Sequence, residues 1–208
     1  MDKQESKTSV DTEQLILQAA AKEFATKGFD GARTSAIAAE AGVTHAMLHY
    51  YFRTKEKLFE RIFKDKLQFL MNMVLSPIIN SGSSIKEKVR SGIEAHFDFL
   101  CRNRELPVFF ITTINSRPES YARVVEQMSQ EVNCRLADLQ RELDKGYANG
   151  EIAEIEARAL AIDVASLNAF PFLAAPIMMP VMGFQDMDQY LAARRKENVE
   201  IIMKRLSL

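Results

Sequence analysis

Only two cysteines occur in the 208 residues, Cys101 and Cys134. They are too few and too far apart for a disulfide framework or a cysteine-based zinc site. The expectation is a pair of reduced core thiols in a cytoplasmic protein, with a thiol-based sensor through the same two residues as the alternative. An excess of charge of one sign is also missing. The formal net charge is -1, so the whole molecule is not a basic nucleic-acid binder, and any such contact must come from a local patch. No strand-like alternation of useful length and no internal repeat is found. No nucleophile-base-acid set and no phosphate loop stands out, so neither an enzyme nor a cofactor is expected. The first ten residues, MDKQESKTSV, are polar and do not resemble a signal peptide. The longest weakly charged stretch, 164–184, is interrupted by Pro171, Pro176 and Pro180, so no membrane span is expected.

What is present is helical periodicity. Hydrophobic residues make up 47% and charged residues 26%, the balance of a folded chain rather than a disordered one. After a polar tail of ten residues, Asp11 with Gln14 is expected to cap a first helix whose stripe holds Ile16, Ala20 and Phe24 and which Gly28 ends. A fourth helix follows Thr54. Pro77 and the Asn80-Ser81-Gly82-Ser83 run mark a loop. Ser84 with Glu87 makes a capping box for a fifth helix. Short Leu106–Ile114 and long Pro118–Ala148 segments follow, the latter with Val125, Met128, Leu139 and Leu143 on one face. An eighth helix from about Glu154 is expected to kink or end near Pro171. A ninth starts at Asp186, with Gln189 at its third position. The fold class is all-α, with about nine helices. A tail and head occupy 1–57, and a larger helical body occupies 58–208.

The stretch TSAIAAEAGVTHAMLHYYFRTKEKL, residues 34–58, is the most informative. Thr34, Thr44 and Thr54 each precede a short helix-forming run and can accept hydrogen bonds from its free N–H groups. Ala41-Gly42-Val43 places glycine where a left-handed C-cap belongs. Two short helices joined by such a turn, about 33–52, make a helix-turn-helix, whose second helix is the kind that enters a major groove. Leu48 is the expected buried centre of that helix, with Tyr51 and Phe52 sharing its face. His45, Ala46, Met47, His49 and Tyr50 are then the groove-facing set. That set has no Arg, Asn or Gln for a bidentate base contact, and Ala46 and Met47 offer only apolar contact, for example to a thymine methyl. Arg33 and Ser35 can add to the reading. Thr34, Thr44 and Thr54 leave helix N-termini open to phosphates, with Lys55, Lys57 and Tyr51 as further phosphate candidates. Between residues 31 and 57, Arg33, Arg53, Lys55 and Lys57 face only Glu40 and Glu56. His45 and His49 have the spacing of a zinc pair, but no acidic residue or cysteine nearby completes a site, so no metal is expected.

Residues 12–63 closely resemble the DNA-binding head of the TetR family of bacterial transcriptional regulators. The resemblance is carried by Lys27-Gly28-Phe29, Thr34-Ser35-Ala36-Ile37-Ala38, Ala41-Gly42-Val43-Thr44, Leu48-His49-Tyr50-Tyr51-Phe52 and Lys55-Glu56-Lys57-Leu58-Phe59. It covers about a quarter of the chain. One departure is His49, where the family usually has a tyrosine that touches the DNA backbone. Lys55 resembles the family's phosphate-binding lysine. The resemblance implies a homodimer on a palindromic double-stranded operator, joined through the last two helices, roughly Glu154–Phe172 and Asp186–Leu206. On these helices Ala159, Ile162, Ala165, Ser166, Ala169, Phe170, Leu191, Arg194, Asn198, Ile201 and Ile202 are interface candidates. It also implies a pocket in the body for a small apolar or amphipathic ligand. His96, Phe97, Phe110, Asn115, Met128, Asn133, Cys134 and Phe170 are candidate contacts, in a region where Phe97, Phe99, Phe109 and Phe110 cluster. Ligand binding is expected to favour a dimer whose heads no longer match successive grooves, and so to release DNA. A TetR-like DNA-binding protein with no effector is the alternative.

Overall fold

The computed structural model describes the backbone of residues 2–80, 83–116 and 118–208, and the side chains of most of them. Its described residues form nine α-helices and no strand: α1 (Asp2–Gly31), α2 (Thr34–Glu40), α3 (His45–Phe52), α4 (Lys55–Asn80), α5 (Ile85–Arg102), α6 (Leu106–Ser116), α7 (Pro118–Ala148), α8 (Ala157–Met182) and α9 (Met187–Arg205). The all-α expectation is met.

Two compact units are present. The first holds residues to Leu67 together with Phe109–Glu126. Its core is built from Ile16, Ala20 and Phe24 of α1, Ile37 and Ala38 of α2, Leu48 and Phe52 of α3, and Leu58, Phe59, Ile62 and Phe63 of α4. Helices as short as α2 and α3 cannot hold a core alone. An aromatic cluster supplies the missing area. The Phe59 ring meets Phe24, Phe29 and Phe109 at 4.9, 5.1 and 5.6 Å between centroids. Phe63 meets Phe110 edge-on at 5.0 Å. Arg123 bonds Glu60 at 2.7 Å in the same unit.

α1 does not start at Asp11 with Gln14; the helix runs from Asp2. Residues 3–10 contain neither glycine nor proline, so nothing in them stops a helix. Gly28, at φ 67°, breaks the helical path where expected.

The second unit holds Gln68–Val108 and Gln127–Leu208. Its core joins Ile85, Val89 and Ile93 of α5 to Leu139 and Leu143 of α7, Leu160 and Val164 of α8, and Val199 and Ile202 of α9. The expected Ser84–Glu87 capping box is present, as is the Asp186 cap on Gln189 N–H at 2.8 Å. On α7 it is Val124, not Val125, that is buried. Pro77 lies inside α4 rather than in a loop, and Ser81 and Gly82 fall outside the described residues.

α7 approaches α5 closely at Gly146. A Cβ there would lie 2.6 Å from Ile85 Cγ2 and 3.2 Å from Ile152 Cγ1. Gly146→Ala therefore overpacks two β-branched neighbours, and a loss of about 1–3 kcal/mol is expected in urea unfolding despite alanine's better helix propensity.

α8 does not end at Pro171. It continues through Pro171, Pro176 and Pro180 and stops at Gly183, which takes the left-handed conformation. A proline lacks the N–H that would bond the carbonyl four residues back. For Pro171 that carbonyl is Leu167, and Asn198 Nδ2 of α9 donates to it at 2.7 Å. At this proline a neighbouring side chain thus satisfies the carbonyl that the backbone leaves open.

Asn198 belongs to a buried chain of polar groups. Its Nδ2 also donates to Asn168 Oδ1 at 3.1 Å, and Arg194 donates to its Oδ1 at 2.7 Å. Asn168 Nδ2 in turn meets Ile93 O at 3.0 Å and His96 Nδ1 at 3.2 Å. Burial holds the His96 imidazole well below the usual histidine range, at about 4.

α8 is long and apolar enough to cross a membrane by length and composition, the only such helix among the described residues. The expectation that its prolines break the stretch is not met. Its inner face is committed to α5 and α9 through Asn168, which is fully buried.

Candidate nucleic-acid interface

The turn between α2 and α3 follows from Gly42 at φ 67°. Only a residue without Cβ takes this conformation at little cost, and it lets Val43 N–H return to Ala38 O at 3.0 Å. Thr44 then caps α3, accepting from Met47 N–H at 3.2 Å. Thr54 caps α4 in the same way through Lys57 N–H at 3.2 Å. Thr34 is not a cap. It is the first residue of α2, whose N-cap Arg33 makes no side-chain cap bond. The Thr34 hydroxyl instead meets His45 Nε2 at 3.0 Å, fastening α2 to α3.

Leu48 and Phe52 anchor α3 in the core, and Tyr51 is half-buried. His45, Ala46, Met47, His49 and Tyr50 are all exposed, Tyr50 by 81%. Arg33, Ser35, Thr44, Thr54 and Lys57 are exposed, while Thr34 and Lys55 are half-buried. The Lys55 ammonium sits 4.6 Å over the Phe29 ring and donates to Asp30 O at 3.4 Å. The α3 side chains expected to face a groove thus form one open surface beside the starts of α2 and α4.

The two histidines of that surface are already engaged. Their rings meet edge to face at 4.5 Å. His49 Nδ1 lies 2.9 Å from the carbonyl oxygen of Arg53, which can only accept, so Nδ1 carries the proton. Arg53 returns its own N–H to His49 O at 2.9 Å. Arg53 is the one non-glycine residue at positive φ among those described, at 47°. It was not among the expected contacts. Its signal in the sequence is its place in the two-residue link between α3 and α4, just before the Thr54 cap, where the chain must reverse quickly. No group of three or more metal-ligating side chains occurs among the described residues.

Residues 16–62 match the family model described as bacterial regulatory proteins, tetR family. The chain is 29% identical over 140 residues to the fatty acid metabolism regulator protein of Bacillus subtilis, covering 67% of this chain and 70% of that one. It is 25% identical over 129 residues to IcaR, a negative transcriptional regulator of the biofilm operon icaADBC in Staphylococcus aureus, covering 62% and 66%. Its fold matches the crystal structure of the regulator FadR of Bacillus subtilis in complex with stearoyl-CoA, with TM-score 0.65, 25% identity and coverage of 93% and 98%. Residues 16–62 therefore carry the DNA-binding head of the tetR family of bacterial regulatory proteins. Regulators of this family bind DNA operators, usually as dimers, and are not enzymes.

The second unit corrects several expectations for a TetR-family body. Leu191, Asn198 and Ile202 do not face outward; they are buried in their own chain, Asn198 because it completes the polar network. Ile162, Ala165, Ser166, Phe170 and Ile201 are exposed, and Ala159, Ala169 and Arg194 half-buried. Ile162 and Phe170 share one face of α8 with exposed Leu173, Ile177 and Val181, an outward apolar stripe 65% exposed at Ile162 and Ile177.

The eight candidate ligand residues are not brought together. Phe110 and Asn115 belong to the first unit, where Phe110 packs on Phe63. Asn115, Asn133, Cys134 and Phe170 are exposed. His96, Phe97 and Met128 are buried, His96 in the polar network and Phe97 against Phe172 at 5.6 Å. An open apolar groove lies elsewhere, at the end of α8 and the start of α9. It measures about 470 Å³ and is lined by Phe172, Pro176, Met179, Pro180, Phe184 and Gln185, among others. The cysteines are not both core thiols. Cys134 is exposed; Cys101 is half-buried, and burial together with Asp98 pushes its thiol up, away from the reactive thiolate.

Proposed function

We propose that this regulator is a homodimeric repressor that binds a palindromic operator in the cytoplasm and leaves it when a small amphipathic molecule binds its helical body. The fold match to FadR in complex with stearoyl-CoA carries the ligand part of this reading. The apolar groove at the end of α8 supports it, because an acyl chain needs such a lining. The name of the Staphylococcus relative, a negative regulator, supports repression. The exposed α8 stripe supports the dimer, since contiguous exposed apolar surface marks an interaction site.

In this reading residues 1–57 serve DNA and 58–208 serve ligand and partner subunit. His45, Ala46, Met47, His49 and Tyr50 enter the groove. Arg33, Thr34, Ser35, Thr44, Tyr51, Thr54, Lys55 and Lys57 lie at the phosphates. Ligand and operator then oppose each other with one coupling energy in both directions, about 1–3 kcal/mol.

The test is operator affinity of the purified protein with and without stearoyl-CoA, shorter acyl-CoAs and free fatty acids. At saturating ligand the expected result is a drop of roughly 5- to 150-fold for at least one of them. Unchanged affinity with all of them would overturn the acyl-ligand reading. For the DNA side, Lys55→Ala is expected to weaken all sequences alike and to flatten the dependence of affinity on salt by about one unit of slope. An unchanged slope would remove Lys55 from the phosphate contacts.

A further inference from the structure

We infer that α3 identifies its operator by the methyl groups of thymines rather than by the hydrogen-bonding edges of purines. The inference deepens the DNA-binding reading and rests on it. α3 reads His45-Ala46-Met47-Leu48-His49-Tyr50-Tyr51-Phe52 and contains no Arg, Lys, Asn, Gln, Asp or Glu. None of its side chains can fork onto guanine O6 and N7, or onto adenine N6 and N7. Beside its two histidines the exposed residues are Ala46, Met47 and Tyr50, the latter two 41% and 81% exposed. The only apolar group that a base pair shows in the major groove is the thymine C5-methyl.

The polar atoms of this helix point the same way. His45 is tied to Thr34 at 3.0 Å. His49 donates its Nδ1–H to the Arg53 carbonyl at 2.9 Å, which leaves only Nε2 of the ring to meet a base. As an acceptor that nitrogen suits the amino groups of adenine and cytosine. One A·T pair offers both a methyl for Met47 or Tyr50 and an amino group for His49. A G·C pair set against Ala46 and Met47 would bury base-edge acceptors with no donor to meet them, so rejection adds to attraction.

The experiment is in vitro selection of duplexes from a random library with the full-length protein. Affinity is then measured for the selected duplex and for the same duplex with dU in place of dT in both half-sites. The expected result is A·T pairs at the α3-facing positions and an affinity loss on the order of tenfold when one methyl is removed from each half-site. In Met47→Gln or Tyr50→Ala, exposed positions where folding is not at stake, that dU penalty is expected to shrink. Equal affinity for dT and dU duplexes would overturn the inference while leaving DNA binding intact. So would a dU penalty unchanged in both variants, because the methyl effect would then act through duplex shape. Enrichment of no duplex at all would overturn the DNA-binding reading, and this inference with it.

Discussion

A glutamate at Ile177 is expected to leave the chain folded but monomeric, and to weaken its binding to a palindromic operator by on the order of 10²–10⁴-fold. Ile177 is 65% exposed on α8 and lies in line with Ile162, Phe170, Leu173 and Val181. The window of α8 that is apolar enough to span a membrane is only 33% buried by its own chain. An exposed apolar line of this kind suits an isologous pairing, where each patch meets its own image. A carboxylate there places two charges in the seam without a partner, while the unpaired protomer keeps that charge in water. Sedimentation velocity reads the oligomeric state, and titration of operator DNA reads the affinity. Tyr147→Glu supplies the control, a charge at a half-exposed aromatic of α7 rather than α8. A dimer that withstands Ile177→Glu, with operator affinity intact, would remove the α8 stripe from the subunit interface.

Acid should unfold the second unit early, and His96 should be the reason. Its imidazole is held at about 4 by burial, against a free value near 6.5. The unfolded chain therefore binds a proton that the folded chain refuses. Stability is fully present above pH 6.5 and falls as the pH drops toward 4, by about 3 kcal/mol at the lower end. Protonation of Nδ1 would also set an N–H against Asn168 Nδ2, itself a donor. Urea midpoints across this pH range measure the slope. In His96→Gln, which retains an acceptor oxygen and does not titrate, the part of the slope due to this residue should vanish. A wild-type curve flat between pH 6.5 and 4, or one unchanged in His96→Gln, would show that the imidazole is not held neutral. Asn168→Ala should lower stability by about 2–4 kcal/mol at neutral pH, because it takes the donor from buried His96 Nδ1 and one of the two acceptors from Asn198 Nδ2, which keeps Leu167 O.

Local signals in the sequence were read well where the physics is local. Thr44, Thr54, Ser84 and Asp186 cap helices because a hydroxyl or carboxylate reaches an N–H three residues on, and that requires no tertiary context. Gly42 and Leu48 follow from backbone conformation and helical period. Thr34 shows the limit, since the same residue type in the same setting turned to His45 on another helix. The family resemblance makes Asn198 and Leu191 interface candidates, but a buried amide such as Asn198 can be recognised only from its partners, and these lie on α8 and α9. Pro171 implies a break by the usual rule, and the side chain that satisfies the carbonyl it leaves open stands 27 residues further on in α9. The grouping of Phe109 and Phe110 with Phe59 and Phe63 joins residues some fifty positions apart, for which no motif exists. The groove was illegible for the same reason, being the junction of a helix end with the turn that follows it.

Three imino acids in the last dozen positions of one helix also have a mechanical meaning. A helix resists bending through its ladder of backbone bonds, and at Pro171, Pro176 and Pro180 the ladder lacks a rung. At the first gap Asn198 stands in as a strut. Past it, flexing α8 breaks no backbone bond at the two remaining gaps, and the flexing segment carries both the groove wall and the far end of the outward stripe. A guest wedged against Pro176 and Pro180 would push on the most compliant stretch of the helix, and so on the seam where two subunits would meet.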